Sequence, residues 1–256
     1  MPRTVLAAFR FQAALAWRTP DTLSVFVTAP LFTVVFLALS QFAGRTDLAT
    51  HAVLAPCLMS LWAVALFLAG DLIGNERSWG TLEGLVATPV SFPLLVTARI
   101  TTVTVLGLLT FAESWLVAAG LFGIVLDVAH PLVFGAGMLL SALAMAGTAT
   151  SLSAVFVLTP SARTVQNTLS YPIYLLSGVM VPISFLPDWV QPLSRLVFLS
   201  WSGDLLRTSL DPAPTGNVLP ELGAVALLGV AGYLLGAALT RRFVRRAREL
   251  GNLSHT

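Results

Sequence analysis

The sequence predicts an all-α integral membrane protein of six transmembrane helices. An N-terminal interfacial helix, a polar helix between the second and third spans, and short outer re-entrant or interfacial helices before the last span complete it. Three observations predict this. Of 256 residues, 56% are hydrophobic and 10% charged, against about 25% charged in soluble domains. The apolar residues form continuous runs long enough to cross a ~30 Å hydrocarbon core, which takes ~20 helical residues; a membrane β-barrel would show short alternating segments instead. The 14 basic residues are all Arg, and most of them fall on one side of those runs.

The chain reads as one membrane domain over residues 1–256, with no soluble piece large enough to fold alone. In residues 1–20, Arg3, Arg10 and Arg18 recur at seven and eight, so they share one helical face, while Val5, Leu6 and Phe9 lie mostly elsewhere. That pattern predicts an interfacial helix ending at Pro20, with its arginines toward lipid phosphates. No compact apolar core followed by a small-residue cleavage site precedes the first run, so a cleavable signal peptide is not expected. Spans are expected at residues 22–42, 52–74, 92–125, 132–158, 165–181 and 222–240. The third run exceeds one straight crossing and must tilt or project; the fifth is short and holds Pro172.

With the N-terminus in the cytosol, eleven arginines fall inside and three (Arg45, Arg195, Arg207) outside. This asymmetry follows the positive-inside rule and supports both termini in the cytosol. Residues 182–221 form the outer segment, too rich in proline for a single spanning helix and too apolar for a solvated loop. Trp189 and Trp201 would anchor it at headgroup depth. Asp211-Pro212-Ala213-Pro214-Thr215-Gly216-Asn217 is a turn before the last span. The tail 241–256 opens on a basic helix that suffices as a topology anchor.

Residues 75–90 are the informative polar interruption. On a continuous helix Trp79, Leu82, Leu85 and Val86 form an apolar stripe of ordinary width. Glu76 and Glu83 line up beside it, and Arg77, Gly80, Thr81 and Gly84 lie opposite, where small residues admit another backbone. Thr88-Pro89 ends the helix. A helix along the membrane surface, with one face on its own bundle and one on a soluble partner, satisfies this pattern; a solvated loop with incidental charges is the plainer alternative. Glu113, between Phe111 and Trp115 in the third run, is costly in lipid unless paired, protonated or facing water. It lines a substrate path or is a structural acid bonded to a neighbouring Ser or Thr. Gly70-x-x-x-Gly74 and Gly232-x-x-x-Gly236 permit close helix approach and read as packing. Cys57 stands alone, and His51, His130 and His255 are placed in separate loops or the tail, so no metal site is expected.

The run Glu76-Arg77-Ser78-Trp79-Gly80-Thr81-Leu82-Glu83-Gly84-Leu85-Val86-Ala87-Thr88-Pro89 resembles the first cytoplasmic coupling segment of ABC-2 type transporter permeases. Ser177-Gly178-Val179-Met180-Val181-Pro182-Ile183-Ser184-Phe185-Leu186-Pro187-Asp188-Trp189 resembles that family's signature after the fifth span. Length, span count and motif order agree over the whole chain. Gly84 departs from a position that is more often polar, and Leu196–Leu199 lacks the usual proline. The resemblance implies a permease of an ATP-binding-cassette exporter. Glu76, Arg77, Trp79, Gly80, Thr81, Leu82, Glu83, Thr88 and Pro89 would couple to the ATPase; Gly178, Pro182, Leu186, Pro187 and Trp189 would form the outer motif.

The same resemblance implies no cofactor in this chain, with ATP and Mg held by cytosolic ABC ATPase subunits, and a second permease copy or a related permease as partner. A P-loop needs a lysine on the phosphates, and a chain without Lys cannot hold one, so no catalytic residue is assigned. The second cytoplasmic connection, Thr159-Pro160-Ser161-Ala162-Arg163-Thr164-Val165-Gln166-Asn167, is less distinctive: it is either a second contact for the same ATPase or a plain turn capped by Ser161. The expected cargo is a hydrophobic or amphipathic compound, a drug or antibiotic; the all-Arg composition suggests a high-GC bacterial genome. Lipid or polysaccharide export is the alternative within the family. An ion-gradient carrier would want paired intramembrane acids, and a membrane enzyme would want a nucleophile or metal constellation at membrane depth. A sensor or immunity subunit is the remaining alternative. Nothing suggests nucleic-acid binding; the lipid bilayer is the other partner.

Overall fold

In the computed structural model, residues 9–15, 20–45, 48–88, 91–157, 159, 161–180, 183–213 and 216–250 are described. Among them every regular element is helical. Residues 9–15 form α1. They are followed by α2 (Pro20–Phe42) and α3 (Ala49–Ala63), then by a π-helical turn (Val64–Ala69) leading to α4 (Leu72–Ser78) and α5 (Leu82–Val86). The third apolar run gives α6 (Phe92–Leu106) and α7 (Leu109–Phe122), and α8 (Pro131–Phe156) and α9 (Ala162–Leu176) follow. The outer segment holds a 3-10 turn (Ile183–Phe185), α10 (Gln191–Ser194) and α11 (Phe198–Leu210), before α12 (Leu219–Leu250). Arg3, Arg18, Pro89, Val90, Pro182 and His255 lie outside the described residues.

Among the described residues, four helical stretches are long and apolar enough to cross a membrane: Ala49–Ser78, Phe92–Phe122, Pro131–Phe156 and Leu219–Arg246. The first expected span falls within α2, while the fifth is helical only as far as Leu176 and turns over 177–180, with Val181 outside the described residues. Phe26–Phe42 is a shorter apolar stretch, and α9 has only 15 residues with a polar face. The long third run crosses by breaking rather than as one rod, because α6 ends at Gly107 and α7 restarts at Leu109. A β-carbon on Gly107 would lie 3.1 Å from Leu61 Cδ1, so the break sits close against α3. His51 does not sit in a loop; it belongs to the first turns of α3.

The bundle buries an apolar core that includes Leu58, Leu61, Leu66, Ile100 and Met145, and small residues let its helices approach closely, as is common between spanning helices. The broadest contact joins α8 to α12. A β-carbon on Gly229 would meet Ala144 Cα at 2.8 Å, one on Gly232 the Gly147 carbonyl carbon at 2.8 Å, and one on Gly236 Ser151 N at 2.7 Å. Ser151 donates across the seam to the Gly232 carbonyl at 2.7 Å. The Gly232–Gly236 pair therefore packs as expected. In the other pair Gly70 is crowded by Phe156, whereas Gly74 faces open space. The outer segment does not simply lie on the interface: α11 buries Phe198, Leu199, Leu205 and Leu206 against α8, α12 and α3.

Candidate functional site

The polar interruption is not one helix. α4 continues the second span to Ser78, and the chain then turns at Trp79-Gly80 before α5 begins at Leu82. Gly80 has φ +70°, a left-handed backbone that costs most other residues about 1–2 kcal/mol. That turn overturns the continuous apolar stripe. Leu82 and Val86 are buried and Leu85 half-buried, but Trp79 is 55% exposed. The two glutamates also separate, Glu76 being buried and Glu83 exposed.

Glu76 is the anchor. Arg99 of α6 donates from Nη1 to Glu76 Oε1 at 2.6 Å and from Nε to Gln12 Oε1 of α1 at 2.8 Å. The pair is almost completely buried. Thr81 donates its hydroxyl to Glu76 Oε2, and its backbone N–H reaches the Glu76 carbonyl at 3.0 Å. One carboxylate thus ties the turn to a spanning helix and, through Arg99, to the N-terminal helix. Phe11 stacks under the Arg99 guanidinium with 5.4 Å to the ring centroid. Arg77 reaches across to α8 and donates to the Val157 carbonyl at 3.4 Å, where a helix C-terminus favours positive charge. Thr88 bonds back to the Leu85 carbonyl at 2.7 Å and closes α5. Pro89 lies outside the described residues. Trp79, Glu83 and Gly84 form the outward surface, and a β-carbon on Gly84 would meet nothing within 4 Å.

Sequence reasoning counted Arg99 among the inside charges and missed its role, and it missed Gln12 altogether. The available signal was an arginine eight residues into an apolar run, since buried arginine is almost always paired. The expected Ser161 cap does not form; no side chain caps α9. The second connection is instead pinned by Gln166. This buried side chain donates to the Leu66 carbonyl at 3.1 Å, inside the π turn, and to Asp71 Oδ1. Arg163 lies 3.7 Å from Asp71 Oδ2 and stacks on Phe67 with 5.5 Å to the ring centroid. A π turn shifts the ladder to i→i+5 bonds, as in Gly70 N–H to the Ala65 carbonyl at 2.8 Å, and Gln166 occupies the displaced Leu66 carbonyl.

Beside this joint runs a groove of about 570 Å³ between α2, α3, the π turn and α9. Phe32, Met59, Phe67, Tyr171 and Tyr174 are among its lining, with Asn167 on its polar side. Ser60 also lines it, and its buried hydroxyl has no hydrogen-bond partner among the described residues. Glu113 is elsewhere, half-buried on α7, with Oε2 buried and lacking a hydrogen-bond partner among the described residues. It does not line the groove.

In the outer motif Gly178 has φ +69°, and a β-carbon there would press on Ile183 Cγ1 at 2.5 Å. Its carbonyl accepts from Arg207 Nη2 at 3.0 Å, tying the motif to α11. Leu186 accepts from Gln191 Nε2 at 3.0 Å and Pro187 accepts from the Val190 N–H at 2.8 Å. Trp189 is 75% exposed. Pro182 lies outside the described residues. The coupling residues, the outer motif and Glu113 thus form three separate places. Among the described residues no group of His, Cys, Asp or Glu could hold a metal ion.

Comparison with known proteins places this geometry. Nodulation protein J of Sinorhizobium fredii (strain NBRC 101917 / NGR234) is 34% identical over 77 residues, covering 30% of this chain and 29% of the relative. Nodulation protein J of Rhizobium leguminosarum bv. trifolii is 35% identical over 81 residues, covering 32% and 31%. The protein of the same name from Rhizobium meliloti (strain 1021) is 31% identical over 77 residues, covering 30% and 29%. The matched stretches span less than a third of these relatives' lengths. The profile of the ABC-2 type transporter family matches residues 3–210, which include both segments and the groove. The chain is therefore a multi-pass membrane protein that belongs to the ABC-2 type transporter family.

Proposed function

We propose that this chain is the membrane half of an exporter for an amphipathic compound, driven by ATP hydrolysis on a partner and assembled as two permease copies. The observation that carries the reading is the mechanical attachment at Glu76. An outward surface of Trp79, Glu83 and Gly84 is useless to a pump unless its motion reaches the membrane, and the buried Glu76–Arg99 pair makes that link. Nucleotide-driven closure of two ATPase subunits would push on α5, and Arg99 would pass the displacement to α6 and α1. Such a transition is a rigid-body switch biased by the nucleotide.

The groove between α2, α3 and α9 is the substrate surface in this reading. Aromatic and thioether groups would take an apolar portion; Asn167, Ser170 and Tyr171 would take a polar one. Such a lining suits an amphiphile, be it a drug, an antibiotic or a lipid-like molecule, better than a bare ion. The chain is read as lying in a bacterial inner membrane with both termini in the cytosol, on the arginine asymmetry.

The test is purification of the tagged protein from its native host in mild detergent or nanodiscs, with mass spectrometry of what accompanies it. A stoichiometric Walker-type ATPase is expected. Its absence under conditions that preserve activity would overturn the reading.

A further inference from the structure

A second cleft, of about 370 Å³, opens where the coupling segment returns to the membrane, between Val86, Thr88 and residues 91–93 on one side and the end of α12 on the other. Its floor is apolar: Val86, Phe92 and Val244 are all buried. Its rim is cationic. Arg241, Val244, Arg245 and Glu249 recur at i, i+3, i+4 and i+8, so one face of α12 carries all four. Across the cleft stand the Thr88 and Ser91 hydroxyls and the first turn of α6. That turn starts from Ser91, in extended conformation as its N-cap; the Ser91 carbonyl accepts from the Leu94 and Leu95 N–H groups at 3.0 and 3.2 Å, and Pro93 has no N–H, so the anion-binding capacity of the cleft comes from α12.

The depth of the cleft identifies its occupant. Arg241 is the first charge after the apolar run of the last span, and Phe92 is the first residue of the third. Both therefore stand where hydrocarbon gives way to headgroups. An amphipathic cleft with a cationic rim at that depth matches a molecule with an anionic head and acyl chains, and basic pockets between spanning helices recognise such heads. We propose that this cleft is a binding site for an anionic phospholipid, with the headgroup phosphate between Arg241 and Arg245 and an acyl chain along Val86, Phe92 and Val244. Glu249 opposes it. Its carboxylate lies 3.9 Å from Arg245 Nε, both groups being largely exposed, and it competes with phosphate for that guanidinium.

The site would fasten the base of the coupling segment to the bilayer, so the lipid becomes part of the lever on which the partner acts. Only the leaflet assignment rests on the proposed orientation. Lipid retention is read without ATP or a partner, so it succeeds or fails independently of the transport reading.

The experiment is native mass spectrometry of the full chain released from nanodiscs of equal phosphatidylglycerol and phosphatidylcholine. Preferential retention of phosphatidylglycerol is expected. Arg241→Gln with Arg245→Gln should lower that preference on the order of tenfold, from the loss of two interfacial arginines, without changing helix content. Glu249→Gln should raise it. Equal retention of both lipids by the unaltered chain would overturn the proposal, as would a Glu249→Gln variant that retains less. Inorganic phosphate should not displace the lipid; full displacement by phosphate would mean a plain anion site and overturn the lipid assignment. Loss of ATPase association in the double variant, with retention unchanged, would make the cleft a protein surface and overturn it too.

Discussion

At the scale of single residues, the decisive feature is a carboxylate that left the solvent. Glu76 and Arg99 are both buried and 2.6 Å apart, so neither tolerates loss of its partner. Removing one member of a buried pair costs about 3–5 kcal/mol, whereas replacing both by apolar groups can be neutral. Arg99→Met alone should therefore lower thermal stability in detergent or nanodiscs by several degrees, and adding Glu76→Gln should recover much of the loss. If the two effects simply add, the pair is not the anchor described. Glu83 makes the opposite case. It is exposed, so Glu83→Arg should leave insertion and stability within about 0.5 kcal/mol of the unaltered chain while abolishing export through repulsion at the partner surface. Retained ATPase association and export in that variant would remove Glu83 from the docking surface. For Glu113 the unpartnered Oε2 makes Glu113→Gln informative: transport should change more than expression, and equal loss of both would mark a structural acid.

At the scale of elements, two joints govern how the spans can move. The seam of α8 and α12 is glycine on backbone, so Gly232→Val should separate the helices and cut the yield of folded protein. Size-exclusion profiles of the detergent-solubilised variant would read this, and an unchanged profile would mean the seam is slack. The π turn in the second span is the other joint, since Gln166 holds the Leu66 carbonyl and Asp71 together. Much of this was legible in the sequence. The apolar runs, the Gly232–Gly236 approach and the polar interruption follow from composition and helical spacing. The internal geometry of residues 75–90 was not, because a helical wheel assumes one axis and Gly80 breaks it. Nor was the π turn legible, since Val64–Ala69 contains only apolar residues that any helix accepts, and the Gln166 amide that bonds its Leu66 carbonyl lies a hundred residues away. The four-helix core stands out by length and hydropathy, while α9 does not, because its polar face is suited to something other than lipid.

At the scale of the whole molecule, that polar face is the strongest indication of what surrounds the chain. Thr164, Asn167, Thr168 and Tyr171 follow one another at helical spacing along α9, and all are exposed. Thr168 satisfies its hydroxyl by donating to the Thr164 carbonyl at 2.8 Å, but Asn167 carries an amide, a group that costs several kcal/mol when left without partners in hydrocarbon. Tyr171 is 70% exposed, and its ring and hydroxyl stand on the same face. A lipid neighbour would satisfy none of these groups. A second copy related by a twofold axis would meet the face with an identical one, or leave between the two a wet path continuous with the groove at Asn167 and Tyr171. Both arrangements bring the two α9 helices close together. Cys57 is the single cysteine and is wholly buried, so Cys57→Ser gives a clean background. In it, Thr168→Cys should form an intermolecular disulfide on mild oxidation in native membranes, doubling the apparent mass, whereas a cysteine at Leu234, exposed on α12, should not. Cross-linking at Leu234 with none at Thr168 would move the twofold contact to the other side of the bundle and leave the groove facing lipid.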